Sequence, residues 1–384
     1  MAYYFLFPHK DTTIYSHPNR DKLNAGHDEI LELVQEKSNT ASNRYYSSRI
    51  LIQFKDSEIE DVIKNKIKEN TYSASLQLFS TEHRNLETQD TLNVYLVSQS
   101  WNEGSGRYSN LPTSSNGCSW LYTTDSSDKT AWVTSSSDLA LNTDGNGSWE
   151  VDGGGTWYSQ YVATQSFDNA SDLDINIDVT QLMSIISSSI FANNVDSILA
   201  ANISDGYVNN GFIIKRGPEV EAEPSSSKGE LKYFSVDTHT IFPPRLAFKW
   251  DDSIHNKQSS AKTSGELNVS LYRNKLEYKN TEEALFRIHV RDKYPTRQFA
   301  SSSNFLNVGY FTTSSFYSVR DAATEDILIP FDHCTKLSAD NEGIYFKMHM
   351  NGLQPERYYR LLFKHINDDG TIIYDDDFFF KIVR

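Results

Sequence analysis

The segment DLDINIDV constrains this chain more than any other. Leu173, Ile175, Ile177 and Val179 alternate with Asp172, Asp174, Asn176 and Asp178. A strict period of two, with polar groups on the off positions, describes a strand with one dry face and one wet face. The same rhythm recurs along the whole sequence. RILIQF sets Ile50, Ile52 and Phe54 on one side, TLNVYLV sets Leu92, Val94 and Leu96, and LAFKW sets Leu246, Phe248 and Trp250. Later, FRIHVR aligns Phe286, Ile288 and Val290, and IYFKMHM aligns Ile344, Phe346, Met348 and Met350; YYRLLFK and FFFKIVR follow. Aromatic residues make up 13% of the chain, a composition that suits pleated, half-buried surfaces.

The fold class expected is therefore mainly β. At 384 residues the chain has room for two or three domains, and two β-sandwich domains account for the pattern. The N-terminal one, residues 1–250, is large, with long Trp/Gly-rich loops and two short helices. Residues 251–265, DDSIHNKQSSAKTSG, are polar and read as a linker. The C-terminal domain, 266–384, reads as Ig- or fibronectin-like. One helix is expected from a Ser57/Glu60 capping box followed by Ile59, Val62, Ile63 and Ile67. The other covers 180–190, with Leu182, Ile185, Ile186 and Ile190 on one side. In GLQPERYYRLLFK, Leu353, Pro355 and either Tyr358 or Tyr359 match the corner that closes such sandwiches, where a tyrosine hydroxyl bonds nearby backbone.

Net charge is −15 and the sequence pI is about 5.1, so phosphate is repelled and nucleic acid is a poor partner. Only two cysteines occur, Cys118 and Cys334, far apart, which argues against disulfide frameworks and thiolate zinc sites. MAYYFLFPHKD has no basic n-region, no apolar stretch reaches 18 residues, and assembly in a cytoplasm without membrane insertion is the expectation.

The region 100–165 differs from the rest. Trp101, Trp120, Trp132, Trp149 and Trp157 stand among Ser, Gly, Asn and Asp, with DGNG at 144–147 and GGG at 153–155 as turn and positive-φ signals. Three readings stay open for these tryptophans: packing that staples the loops, anchors of a protein interface, or a platform that stacks on glycan rings. A calcium ion at DGNGSWEVDGGG, through Asp144 or Asp152, is a further option, although the spacing is not that of an EF-hand. His17 and His27, with Asp11 or Asp28, lack metal-ligand spacing and read as turn residues, so no metal site or cofactor is assigned. No HExxH, GxSxG or P-loop is present, and the acid pairs at 251–252, 368–369 and 375–377 are neighbours on one strand or turn, so no catalytic residue is assigned.

An ordered set of short motifs runs through the first part: DTTIY, NAGHDEILEL, SSRILIQF, ASLQLF, SWNEGSGR, IDVTQLM, NNGFIIKR and PPRLAFKW. This order, over roughly 11–250, resembles the DNRLRE-type β-sandwich modules of bacterial surface proteins. With FSVDTHTIFPPRLAFKWDDS and ILIPFDHCTKLSADNEGIYFKM added, nearly the whole chain resembles virion proteins of marine contractile-tailed phages, cyanophages in particular. The resemblance implies a non-enzymatic structural component of the virion, in the tail, neck or baseplate. It implies partners among other virion structural proteins and assembly as a homo-oligomer. A carbohydrate-binding adhesion module using the Trp-rich loops is the alternative. The segment RDKYPTRQF, with Tyr294 and Phe299 as anchors, is a candidate for strand addition to a neighbour's sheet.

Overall fold

A computed structural model describes residues 3–37, 45–84, 89–109, 116–125, 129–133, 141–142, 153–168, 173–190, 207–221, 228–256, 261–272, 274–295 and 309–384. The chain is mainly β, in the β-sandwich class, and divides into two compact units. One comprises Leu6–Asn65 and Ser73–Ala247 and is called the N-terminal unit below. The C-terminal unit comprises Met1–Phe5, Lys66–Tyr72 and Phe248–Arg384.

The N-terminal unit is built on a nine-stranded sheet. Its path runs from the 141–142 strand through Trp157–Asp168, Gln89–Val97, Phe212–Arg216, Tyr45–Gln53, Ile30–Lys37 and Gly229–Phe234 to Ser80–Arg84, with Lys10–Tyr15 also paired to Tyr45–Gln53. The strand Ile175–Asp178 pairs antiparallel with the strand Tyr72–Leu78 in the facing sheet; Ile175 and Ile177 are buried while Asn176 and Asp178 are exposed, as the alternation requires. The central strands behave differently. In the 45–53 strand Ile50 and Ile52 fill one face, but Arg49 and Leu51 on the other are equally buried. Both faces of the sheet are therefore covered here, and the second cover comes from the Trp/Gly-rich loops.

The helix Thr180–Ile190 forms where its apolar spacing places it, and Asp178 accepts hydrogen bonds from the Thr180 backbone N–H and hydroxyl. The expected capping box does not form. The first helix spans Asp56–Asp61 with Lys55 at the N-cap and no side-chain cap, so Ser57 lies inside it. Instead Asn209, distant in sequence, donates to Asp56 Oδ1 at 2.6 Å and to the Phe54 carbonyl at 3.1 Å. The turn that follows, Val62–Ile67, is a π-helix, whose wider spacing brings Val62 and Ile67 to buried positions five residues apart.

In the C-terminal unit a four-stranded sheet runs Leu267–Tyr272, Glu283–Asp292, Gly343–His349, Ser338–Asp340. A five-stranded sheet runs Glu277–Lys279, Gly370–Val383, Tyr358–Asn367, Ser315–Asp321, Ile327–Ile329. Their inner faces meet through aromatic rings. Between the sheets Tyr317 stacks on Phe346 at 4.3 Å and Phe380 lies 5.3 Å from Phe286; Phe286 and Phe346, paired within the four-stranded sheet, stack at 5.0 Å. Tyr359 closes the corner: its buried hydroxyl donates to the Gln354 carbonyl at 2.6 Å, while Tyr358 faces outward. The described parts of 251–265 run against this unit, with His255 bridged to Ala339 and Ala261 to Tyr310.

Candidate functional site

Four of the five tryptophans are brought together and buried. Trp101, Trp120, Trp132 and Trp157 form one cluster with Ile14, Leu51, Cys118 and Ile213. The Trp101 indole N–H donates to the Asn210 carbonyl and that of Trp132 to the Ser119 carbonyl, each at 2.9 Å. Trp149 lies outside the described residues, as do Phe299, Asp144 and Asp152. A stacking platform needs an exposed ring face, and these four rings have none. The glycan-platform and interface readings are corrected for them: they pack. Indoles of this size each remove roughly 150–250 Å² from water, enough to fix the loops to the sheet.

What the rings cover was invisible in the sequence. Arg49 is 0% exposed and forms a forked pair with Glu221, Nη2 to Oε2 at 2.7 Å and Nε to Oε1 at 3.2 Å. Lys215 Nζ reaches the same Oε2 at 2.8 Å. The Arg49 guanidinium lies 4.8 Å over Trp120 and 5.2 Å over Trp157, and the Lys215 ammonium lies 4.7 Å over Trp157. Two cations thus share one carboxylate, and ring faces plus the Gly154 carbonyl, which accepts from Arg49 Nη1, take up the excess. Gly154 has φ +86°, and a Cβ there would stand 2.6 Å from that guanidinium, so only glycine serves. Arg216 is also buried and pairs with Asp90 at 2.5 Å. The available signal was FIIKR, two cations closing a run of apolar residues in a central strand.

The motifs DTTIY, NAGHDE and SWNEGSGR converge. The buried Asn24 side chain donates to the Glu103 and Cys118 carbonyls at 2.6 and 2.9 Å, and its oxygen accepts from the Gly106 N–H at 2.8 Å. Asp11 accepts from the Val236 N–H at 2.8 Å, and its own N–H donates to Glu103 at 3.0 Å. Burial, then the neighbouring Glu103 and Asp237 charges, push the Asp11 carboxyl well above the usual range despite the Val236 bond. His27 pairs with Asp237 at 3.0 Å, Asp28 accepts from the Tyr108 N–H, and His17 packs on Tyr46, so these candidates are engaged separately.

This clamp holds Arg20 and Tyr108 over the outer face of the sheet, where a cleft of ≈ 290 Å³ opens. Its floor is laid by four neighbouring strands through the pairs Tyr15↔Ser48, Glu36↔Tyr46, Lys232↔Glu32 and Glu230↔Val34. Arg20 lies 4.1 Å over the Tyr108 ring; the Tyr15 hydroxyl donates to Glu32 at 3.0 Å, and Lys232 meets Glu32 at 3.1 Å. Burial and the adjacent Glu230 raise the Glu36 carboxyl. Three tyrosine rings, three carboxylates and two cations leave little net charge.

The C-terminal unit presents a different surface. Nine of the twelve exposed large hydrophobic side chains among the described residues belong to it. Tyr358 (59% exposed), Ile366 and Ile373 (52%) share the outer face of the five-stranded sheet: Tyr359, Leu361, Phe363 and His365 point inward, and Ile373 pairs with the outward Lys364. Ile327, on the adjacent edge, pairs with Arg320. The face's charges are matched locally. Arg360 meets Asp375 at 2.6 Å and Glu325 at 2.7 Å, and Lys381 meets Glu356 at 3.1 Å. The anchor residue Tyr294 is 77% exposed, just past the 283–292 strand.

No protein-family model matches the sequence, and no curated protein matches it. Among solved structures the chain is similar to a DUF4785 family protein from Legionella pneumophila at 8% identity, covering 98% of this chain and 66% of that one, with a TM-score of 0.17. A superposition that loose carries no argument about fold or function.

Proposed function

We propose that this protein is a non-catalytic structural component of a phage particle, of the tail, neck or baseplate, and that it assembles through the outer face of its C-terminal unit. The observation that carries the reading is the exposure of Ile366 and Ile373 beside each other at one end of a sheet face, with Tyr358 exposed at its other end, since apolar side chains left on one surface mark interfaces. The occupant proposed is a second copy of the chain. Chains of net charge −15 repel one another at range, so copies meet where charge is balanced locally, as it is around Arg360 and Lys381. The near full-length resemblance to virion proteins supports the same reading. Tyr358→Asp with Ile373→Asp is expected to shift the purified chain from oligomer to monomer by light scattering and to exclude it from particles analysed by mass spectrometry, without changing its melting temperature. A chain absent from particles, or a double variant that assembles like the parent, overturns the proposal.

The cleft favours a second reading, binding of a neutral glycan, because the partly exposed Tyr46 and Tyr108 rings stand beside polar groups whose charges largely cancel. On an array of neutral oligosaccharides, binding lost in Tyr46→Ala supports this reading. Binding to acidic glycans alone, or to none, removes it.

A further inference from the structure

The segment FDHCTK (331–336) follows the Ile327–Ile329 strand. Among the described residues it supplies the one group of three metal-capable side chains whose ligand atoms lie within 4.8 Å of one another: Asp332, His333 and Cys334. The sequence alone discounts thiolate metal binding here, because the cysteines are far apart. The three-dimensional arrangement reverses that judgement.

The short 3-10 turn His333–Thr335 is locked at both ends. Asp332 accepts from the His333 N–H, the Thr335 hydroxyl bonds the Asp332 carbonyl, and the Asp332 N–H donates to the Thr335 hydroxyl at 2.9 Å. The Asp332 carboxylate also faces His333 Nδ1 and accepts from the Tyr3 hydroxyl. An imidazole that donates Nδ1–H to a carboxylate keeps its lone pair on Nε2. Here Nε2 lies 3.1 Å from Cys334 Sγ. In that tautomer the Cys334 thiol is placed to donate to Nε2, with the carboxylate on the far side of the ring. That is the arrangement of a carboxylate–histidine–metal triad with a proton where the metal would sit.

We propose that Cys334 Sγ and His333 Nε2 bind a borderline divalent cation of the zinc type, with Asp332 orienting the imidazole and water completing the coordination. In zinc geometry, bonds of about 2.3 Å to sulfur and about 2.0 Å to nitrogen at a tetrahedral angle separate the two atoms by roughly 3.5 Å. The 3.1 Å gap needs to widen only slightly, and the His333 side chain, 74% exposed, has room to swing. Binding balances as the dication displacing the thiol proton: the S–H bond breaks, a sulfur–metal bond forms, and one proton leaves to solvent. The thiolate-plus-imidazole donor set selects against Mg²⁺ and Ca²⁺.

Cobalt(II) is the spectroscopic probe for the test. Titrated into the purified full chain, it is expected to give a thiolate-to-cobalt charge-transfer band that saturates at one equivalent. Calorimetry in two buffers should show about one proton released per ion at neutral pH. Cys334→Ser abolishes the band and Cys118→Ser keeps it. His333→Gln weakens binding at least tenfold, and Asp332→Asn weakens it by about 10–100-fold, as loss of such an outer partner does. Because Asp332 also caps the turn, the metal-free melting temperature of each variant is read alongside; His333→Gln, at an exposed position, is the variant that leaves the fold alone. Absence of the band at millimolar cobalt overturns the site. So does a band that survives Cys334→Ser, or an affinity indifferent to His333→Gln.

Discussion

The two units solve the same problem, a sheet with two faces, in opposite ways. The N-terminal unit covers the second face of its central strands with tryptophan loops, and so must bury the cations that stand there. Arg49 and Lys215 share Glu221 under Trp120 and Trp157. The C-terminal unit leaves the two ends of its five-stranded sheet's outer face exposed, keeps ion pairs such as Arg360–Asp375 in contact with water, and exposes Tyr358, Ile366 and Ile373 on the same face. Among the described residues, the central strands of the first unit are dry on both faces, whereas the five-stranded sheet of the second is dry on one face and carries exposed apolar side chains on the other.

The sharpest way to break the contrast is to remove the same charge type from each unit. Glu221→Gln leaves Arg49 and Lys215 buried without their counter-ion. Loss of one partner of a buried pair is expected to cost about 3–5 kcal/mol in equilibrium urea denaturation. Asp375→Asn, in the partly exposed Arg360 pair, is expected to cost less than about 1 kcal/mol. Equal costs would mean that the N-terminal cluster is hydrated and the distinction drawn between the units is false.

The same difference governs what was legible in the sequence. Where one face is dry and one wet, alternation alone names the core: Phe286, Ile288 and Val290, or Ile344, Phe346 and Met348, are all buried. The tyrosine corner was legible too, down to a choice between two adjacent residues that alternation settles for Tyr359. Where both faces are dry the pattern fails, because Arg49 and Lys215 occupy positions that read as solvent-facing. Their shared partner, Glu221, lies 172 residues from Arg49. The Ser57 capping signature failed for a related reason: a local bond lost to the distant Asn209, whose side chain reaches the start of the helix. The cleft had no local signature, since four strands and two loops each contribute one to three residues. Asp332, His333 and Cys334 are neighbours in sequence, yet their grouping gains meaning only from which ring nitrogen faces the sulfur.

Acid should separate the units a second time. The C-terminal core holds a neutral imidazole: His365 is fully buried, stacks on Phe311 at 4.5 Å, and accepts the Thr312 N–H on Nε2 at 3.2 Å. Burial lowers its pKa from 6.5 to about 4. Between those values the unfolded chain binds a proton that the folded chain refuses, so stability falls as pH drops from about 6.5 toward about 4 and is fully present above that window. At about 1.4 kcal/mol for each unit of difference, this one group contributes up to roughly 3 kcal/mol. Hydrogen exchange read by peptide mass spectrometry is expected to show the strands 315–321 and 358–367 losing protection through this window. His365→Leu, which removes this titrating group and keeps an apolar partner for Phe311, should weaken that dependence even if it lowers stability at neutral pH, with His349, likewise lowered by burial to about 4, supplying the remainder. A variant whose C-terminal strands still loosen with the parent's pH profile would place the acid sensitivity elsewhere, and with it the contrast between an ion-paired core and a neutral one.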